Sequence, residues 1–358
     1  MKTKYGSVNA EGNAADNEAI PYAASTIMTN FIVFTLFFSL NLSCVTTVVS
    51  FAAADFASIG NYSNGLLYAG YTLSALFLAK VVIALGGTKT GLLVGLGGYC
   101  IYLLAYFICE LVGPEETGWI VLAGSFVGGV GSGIVWVSQG AYMSESATLY
   151  ADAADIAPEQ ATGLMSTRFA TIFLIFEVVM KTLGALIKSF GGEEGTKVMY
   201  GVLACCGLVS ILGVSRVLVL KKEKEEVTSA MVLNKAGAGI KLLSTDPKMA
   251  LMLPYQFAFS LNAAFLNGFI SPQVTATVLS NAAIGYFTGI VALVAAIVSY
   301  GAGKFIKRTG LKWPLMLQGA LAFFALAVPF LIQTDASAYT SIWKIVLLYI
   351  AQGVGRGA

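Results

Sequence analysis

Ten stretches of this chain are apolar enough to lie in lipid: residues 30–54, 64–86, 90–112, 118–143, 165–189, 197–220, 249–270, 282–303, 313–333 and 342–358. A hydrocarbon layer about 30 Å thick takes roughly 20 helical residues to cross. Within it each backbone polar group must be satisfied inside its own segment, which leaves helices as the form for runs of this length. The chain therefore reads as an all-α polytopic membrane protein with nine complete crossings and a tenth cut short. Composition agrees, with 57% hydrophobic and 11% charged residues where soluble domains carry about 25% charged.

The polar parts exclude several function classes. Residues 1–29 mix Lys2, Lys4, Glu11, Asp16 and Glu18, which reads as a solvated tail and not as a cleaved signal peptide. All five cysteines fall inside apolar runs, where a thiol acts as a small hydrophobe, so no disulfide framework is expected. The chain has no histidine, hence neither the commonest general base nor the commonest metal ligand. Neither an enzyme nor a cofactor, a metal site or a nucleic-acid partner is expected.

Charge sorting gives an expected orientation. Lys and Arg collect in the tail, at Lys89, in the 221–248 stretch, and at Lys304, Lys307, Arg308 and Lys312. The positive-inside rule makes that side cytoplasmic, the N-terminus included. The opposite loops carry Asp55, Glu110, Glu115, Glu116 and Asp335. One cytoplasmic segment dissents, with Glu145, Asp152, Asp155 and Glu159 ahead of Arg168. Asn61 stands in a glycosylation sequon of a short non-cytoplasmic loop.

An internal repeat follows from two landmarks. Gly129 and Gly353 open matching glycine strings, while Gly87 and Lys89 match Gly310 and Lys312 at nearly the same offset of roughly 224 residues. Two parallel six-helix halves are implied, 30–220 and 249–358, joined by a cytoplasmic linker at 221–248. By that offset a complete chain is expected to run roughly 85 residues further, since the second half stops in its tenth crossing.

Three stretches carry a family likeness: residues 68–107, "GSGIVWVSQGAYM" at 131–143, and 240–270. Together they resemble the Unc-ninety-three-like, ion-channel regulatory family of the major facilitator superfamily. The likeness is most specific at Trp136, Gln139, Gly140 and Tyr142. It implies the major facilitator fold and a regulatory or trafficking partner of a potassium channel or another membrane protein. The basic loop Gly303 to Lys312 is similar to the superfamily's loop pattern, with Lys307 where that pattern has an acid, and the Gly87–Lys89 loop lacks the acid and arginine too. A secondary transporter of a small solute or cation is the alternative implied by the fold.

The candidate site residues lie on several crossings. Trp136 and Gln139 share a face of crossing 4, as interfacial belt and interhelical glue or as cavity groups, with Tyr142 beside them. Crossing 7 offers Gln256, Asn262 and Asn267, with a break expected near Pro254. Crossing 5 holds Glu177 and Lys181 about mid-span, four residues apart. A charge there costs roughly 2.5 to 3.5 kcal/mol, so the two are expected to pair, either as a structural ion pair or as a proton or cation site. Arg216 and Arg356 are expected to snorkel.

Overall fold

The computed structural model describes residues 22–220, 244–310, 313–332, 335–339 and 341–357. Most of the 1–29 tail and of the 221–248 linker, together with Lys312, lies outside these residues. All the described elements are helical. The first helix, Ala24–Phe77, is 54 residues long, or roughly 80 Å at 1.5 Å per residue, more than twice a hydrocarbon layer. It is bent at Ala57, whose φ of 48° and ψ of −122° are not helical. Beyond the bend Gly60 packs against the Ala52 backbone, and Asn64 Nδ2 donates to the Val49 carbonyl at 3.3 Å. The chain has thus doubled back, giving crossings 1 and 2 without a loop. A second bend at Gly87 (φ 81°) inside Ala79–Val112 separates crossings 2 and 3.

Crossings 4, 5 and 6 are Pro114–Ala154, Pro158–Phe190 and Gly195–Ser215. Crossing 7 is α-helical over Pro247–Phe265 and becomes a π-helix over Leu266–Thr275. The break expected at Pro254 falls instead at the π segment, because the α-helix runs through Pro254. Here Ser271 and Thr275 both bond the Tyr349 hydroxyl of crossing 10, at 3.0 and 2.9 Å. Crossings 8, 9 and 10 are Ala283–Thr309, Trp313–Ile332 and Ile342–Gly357.

The repeat is visible in the packing. Gly129 lies against Leu67 and Gly70, and Gly353 against Val291 and Val294. One turn on, Gly133 meets Tyr71 and Ser74, and Gly357 meets Ala295 and Val298. Each residue of the second set is the first-set residue shifted by the offset read from the sequence. Crossings 2 and 4 therefore pack as crossings 8 and 10 do, backbone to backbone, which only small residues allow in lipid. The matching turn glycines agree as well, Gly87 and Gly310 both having positive φ, 81° and 70°, a conformation glycine adopts without strain.

The first half is filled by aromatic side chains, among them Phe34, Phe38, Tyr102, Tyr106 and Tyr200, all fully buried. Asp55, expected in a loop, belongs to this interior. Its carboxylate pairs with Lys188 at 2.5 Å and accepts from the Tyr200 hydroxyl at 2.9 Å, both ionic side chains being at most 5% exposed. The loopless hairpin at Ala57 draws it inward.

Candidate functional site: a cavity between the two halves

A cavity of about 390 Å³ lies where the halves meet, lined from crossings 1 to 5 on one side and 7, 8 and 10 on the other. Its charged wall comes from three residues. Lys181 Nζ donates to Glu177 Oε1 at 2.7 Å, the pairing expected from their spacing. Arg356 of crossing 10 joins them, its two terminal nitrogens donating to Oε1 and Oε2 of the same carboxylate at 2.8 and 2.6 Å. Such bidentate, charge-assisted bonds are the strongest of their kind and fix orientation as well as distance. Glu177 is 1% exposed and Lys181 5%, whereas the Arg356 side chain keeps 22% of its surface open.

Arg356 therefore does not snorkel. The Glu177 carboxylate sits within reach on the facing helix and accepts both terminal nitrogens of the guanidinium, which holds the side chain in the cavity wall. The arginine also faces the ring of Phe173, 5.8 Å from its centroid. Two cations against one carboxylate leave this wall with one surplus positive charge among the described lining residues. The rest of the cavity is largely aromatic, with Trp136, Tyr68, Tyr71 and Phe259. Gln352, one turn before Arg356 on crossing 10, also lines it, its side-chain oxygen being buried away from the cavity without a hydrogen-bond partner.

The sequence profile described as "Ion channel regulatory protein UNC-93" matches residues 55–334. The chain belongs to the UNC-93 family. Among curated proteins it is 22% identical over 275 residues to UNC93-like protein 3 of Arabidopsis thaliana, covering 74% of this chain and 57% of that one. The chain thus spans little more than half the length of that relative. Among solved structures it is similar to the partially occluded, inward-open xylose transporter XylE of E. coli, with a TM-score of 0.60 at 13% identity over 93% of this chain and 82% of that one. The nucleoside transporter NupG gives 0.58 at 13% identity over 92% and 79%. At such identities the likeness is one of fold, and the fold is that of the major facilitator superfamily.

The cavity gathers four of the residues singled out in this UNC-93 chain: Trp136, Glu177, Lys181 and Asn267. Trp136 is held edge-on against Phe38, with centroids 5.7 Å apart. The other candidates lie elsewhere. Gln139 is buried, and its amide nitrogen is 3.9 Å from Met143 Sδ on the same helix. Asn262 donates to the Phe323 carbonyl at 3.1 Å, joining crossings 7 and 9. Gln256 is exposed. Asn61 is exposed too, but in helix and not in a loop, since the reversal at Ala57 leaves no loop for it.

Tyr142 completes a closed tether. Its hydroxyl accepts from Asn30 Nδ2 at 2.7 Å and donates to the Leu218 carbonyl at 3.0 Å, while the Leu218 N–H donates back to Asn30 Oδ1 at 2.8 Å. Crossings 1 and 4 and the segment after crossing 6 are thereby fastened together. Tyr142→Phe should cost about 1–3 kcal/mol by stranding these groups, with ligand binding in the cavity unchanged; thermal unfolding of the purified protein beside a ligand titration reads both.

The basic-loop residues split in two. Gly87 and Gly310 make turns, Lys89 is half-buried, and Gly303 and Arg308 are exposed; Lys307 is helical, its side chain lying outside the described set. The 87–89 loop, which has no acid of its own, receives one from the dissenting acidic segment, Glu145 Oε2 accepting from Thr88 Oγ1 at 3.0 Å.

Proposed function

We propose that this UNC-93 protein regulates a membrane ion channel, a potassium channel being the first candidate. The means would be a change in the packing of its two halves that the central cavity controls, without catalysing a reaction. One observation carries the reading: the carboxylate of Glu177 in the first half is clamped by Arg356 of the second inside the cavity wall. Whatever enters the cavity touches the bond that holds the halves in register, so occupancy and arrangement are coupled. A ligand shifts such an equilibrium only by its difference in affinity for the two arrangements, and a cavity at the junction provides that difference. The N-terminus and the Gly87 and Gly310 turns face the cytoplasm in this reading, in keeping with the lysines around them. Contribution to potassium homeostasis would be the cellular outcome.

The test is co-expression with a potassium channel. The protein should co-purify with the channel and change its whole-cell current at least about twofold, and Arg356→Gln should remove the effect on current at equal surface abundance. Unchanged currents and no co-purification would refute it. A second reading, a secondary transporter of a small solute, is favoured by the lining of the cavity from both halves. Uptake into proteoliposomes by the chain alone would select it.

A further inference from the structure

The charge balance of the cavity wall says what kind of ligand it holds. Glu177, 1% exposed, is enclosed by its own neighbours, receiving one bond from Lys181 and two from Arg356, three of the roughly four that a carboxylate accepts. Buried against two cations, it offers no surface to a further cation arriving from the cavity. The donors are not used up. An ammonium has three N–H groups and a guanidinium five, of which Lys181 gives one and Arg356 two to this carboxylate. One positive charge is left over in surroundings where unpaired charge is costly. Around it stand the rings of Trp136, Tyr68, Tyr71 and Phe259.

We infer that the cavity binds a small organic anion: a carboxylate placed against Lys181 and Arg356, with a ring stacked among the aromatic side chains. The surplus charge calls for the anion, and the aromatic wall favours a ring over a bare ion. The inference rests on the reading above that the cavity is a ligand site, and adds the sign and class of the ligand.

Mandelate, which joins a phenyl ring, a hydroxyl and a carboxylate, is a direct probe. Its neutral amide, mandelamide, and the cation phenylglycinol keep the ring and the hydroxyl. With the protein in nanodiscs of phosphatidylcholine alone, calorimetric titration should give binding of mandelate below about 1 mM, with both analogues at least about tenfold weaker. Arg356→Gln and Lys181→Met each leave Glu177 with one cation and a neutral wall, so each should lose mandelate binding while thermal unfolding shows the protein folded. Equal or tighter binding of mandelamide or phenylglycinol would overturn the anion while leaving the cavity a ligand site. Failure of all three to bind would remove both. Inorganic phosphate competing as well as mandelate would overturn the organic part, and displacement by phosphatidylglycerol in the nanodisc would assign the site to a lipid headgroup in place of a solute. Undiminished mandelate binding by both variants would place the site elsewhere.

Discussion

Glu177→Gln should be the most damaging single substitution in the charged wall, lowering stability by about 3–5 kcal/mol, the cost of leaving buried charge without its partner. The change removes the one carboxylate and leaves Lys181 and Arg356 facing each other, both bonded to it in the native protein. The order among variants tests the geometry. Arg356→Gln leaves Glu177 and Lys181 as a neutral pair, and Lys181→Met leaves Glu177 and Arg356, so each should cost about 1.5–3 kcal/mol, the worth of hydrogen bonds to a charged group. Joining Lys181→Met to Glu177→Gln should not rescue the fold, because Arg356 remains buried alone; only the triple change to leucine and methionines should recover it, since apolar replacement of a whole buried cluster is often neutral or stabilising. Thermal unfolding of the purified variants gives the ranking. Rescue by the double change would mean that Arg356 contributes nothing to the cluster.

Alanine at Gly129, Gly133, Gly353 or Gly357 should be nearly as disruptive, at about 1–3 kcal/mol each. At each of these positions a Cβ would run into backbone of the neighbouring crossing: Leu67, Tyr71, Val291 or Ala295. Backbone has no rotamer by which to yield. Gly140, eleven residues along crossing 4 from Gly129, has nothing within 4 Å of such a Cβ, and alanine there should stabilise by about 0.5–1 kcal/mol through helix propensity. Matched losses at positions 129 and 353, against a gain at 140, would be read from thermal unfolding of the five single variants. A harmless Gly353→Ala would break the equivalence of the two halves.

What could be read from the sequence were features written in short-range pattern. Length and hydropathy placed the crossings, one offset paired Gly129 with Gly353 and Gly87 with Gly310, and a spacing of four paired Glu177 with Lys181. What could not be read depends on residues far apart. Arg356 is 179 positions from Glu177 and on another crossing, so nothing local marks it as a partner. Asp55 looked like a loop acid because a reversal without a loop, at a non-glycine residue in positive φ, has no signature in composition. Tyr142 and Gln139 share the neighbourhood of Trp136 in sequence, but which side of a helix meets the cavity is decided by how the other crossings pack. A helix whose face is apolar nearly all round does not announce that choice.

The cluster at Glu177 also bears on how the chain is made. Glu177 and Lys181 leave the ribosome within four residues of each other, so the middle of crossing 5 can enter the membrane carrying no net charge. Arg356 follows 179 residues after Glu177, which at about 5–20 residues per second is a delay of roughly 9–36 seconds. The pair can therefore be inserted and held as a neutral unit before its clamp exists, and crossing 10 brings that clamp to halves already in contact where Gly285 of crossing 8 lies against Lys181 and Ala185.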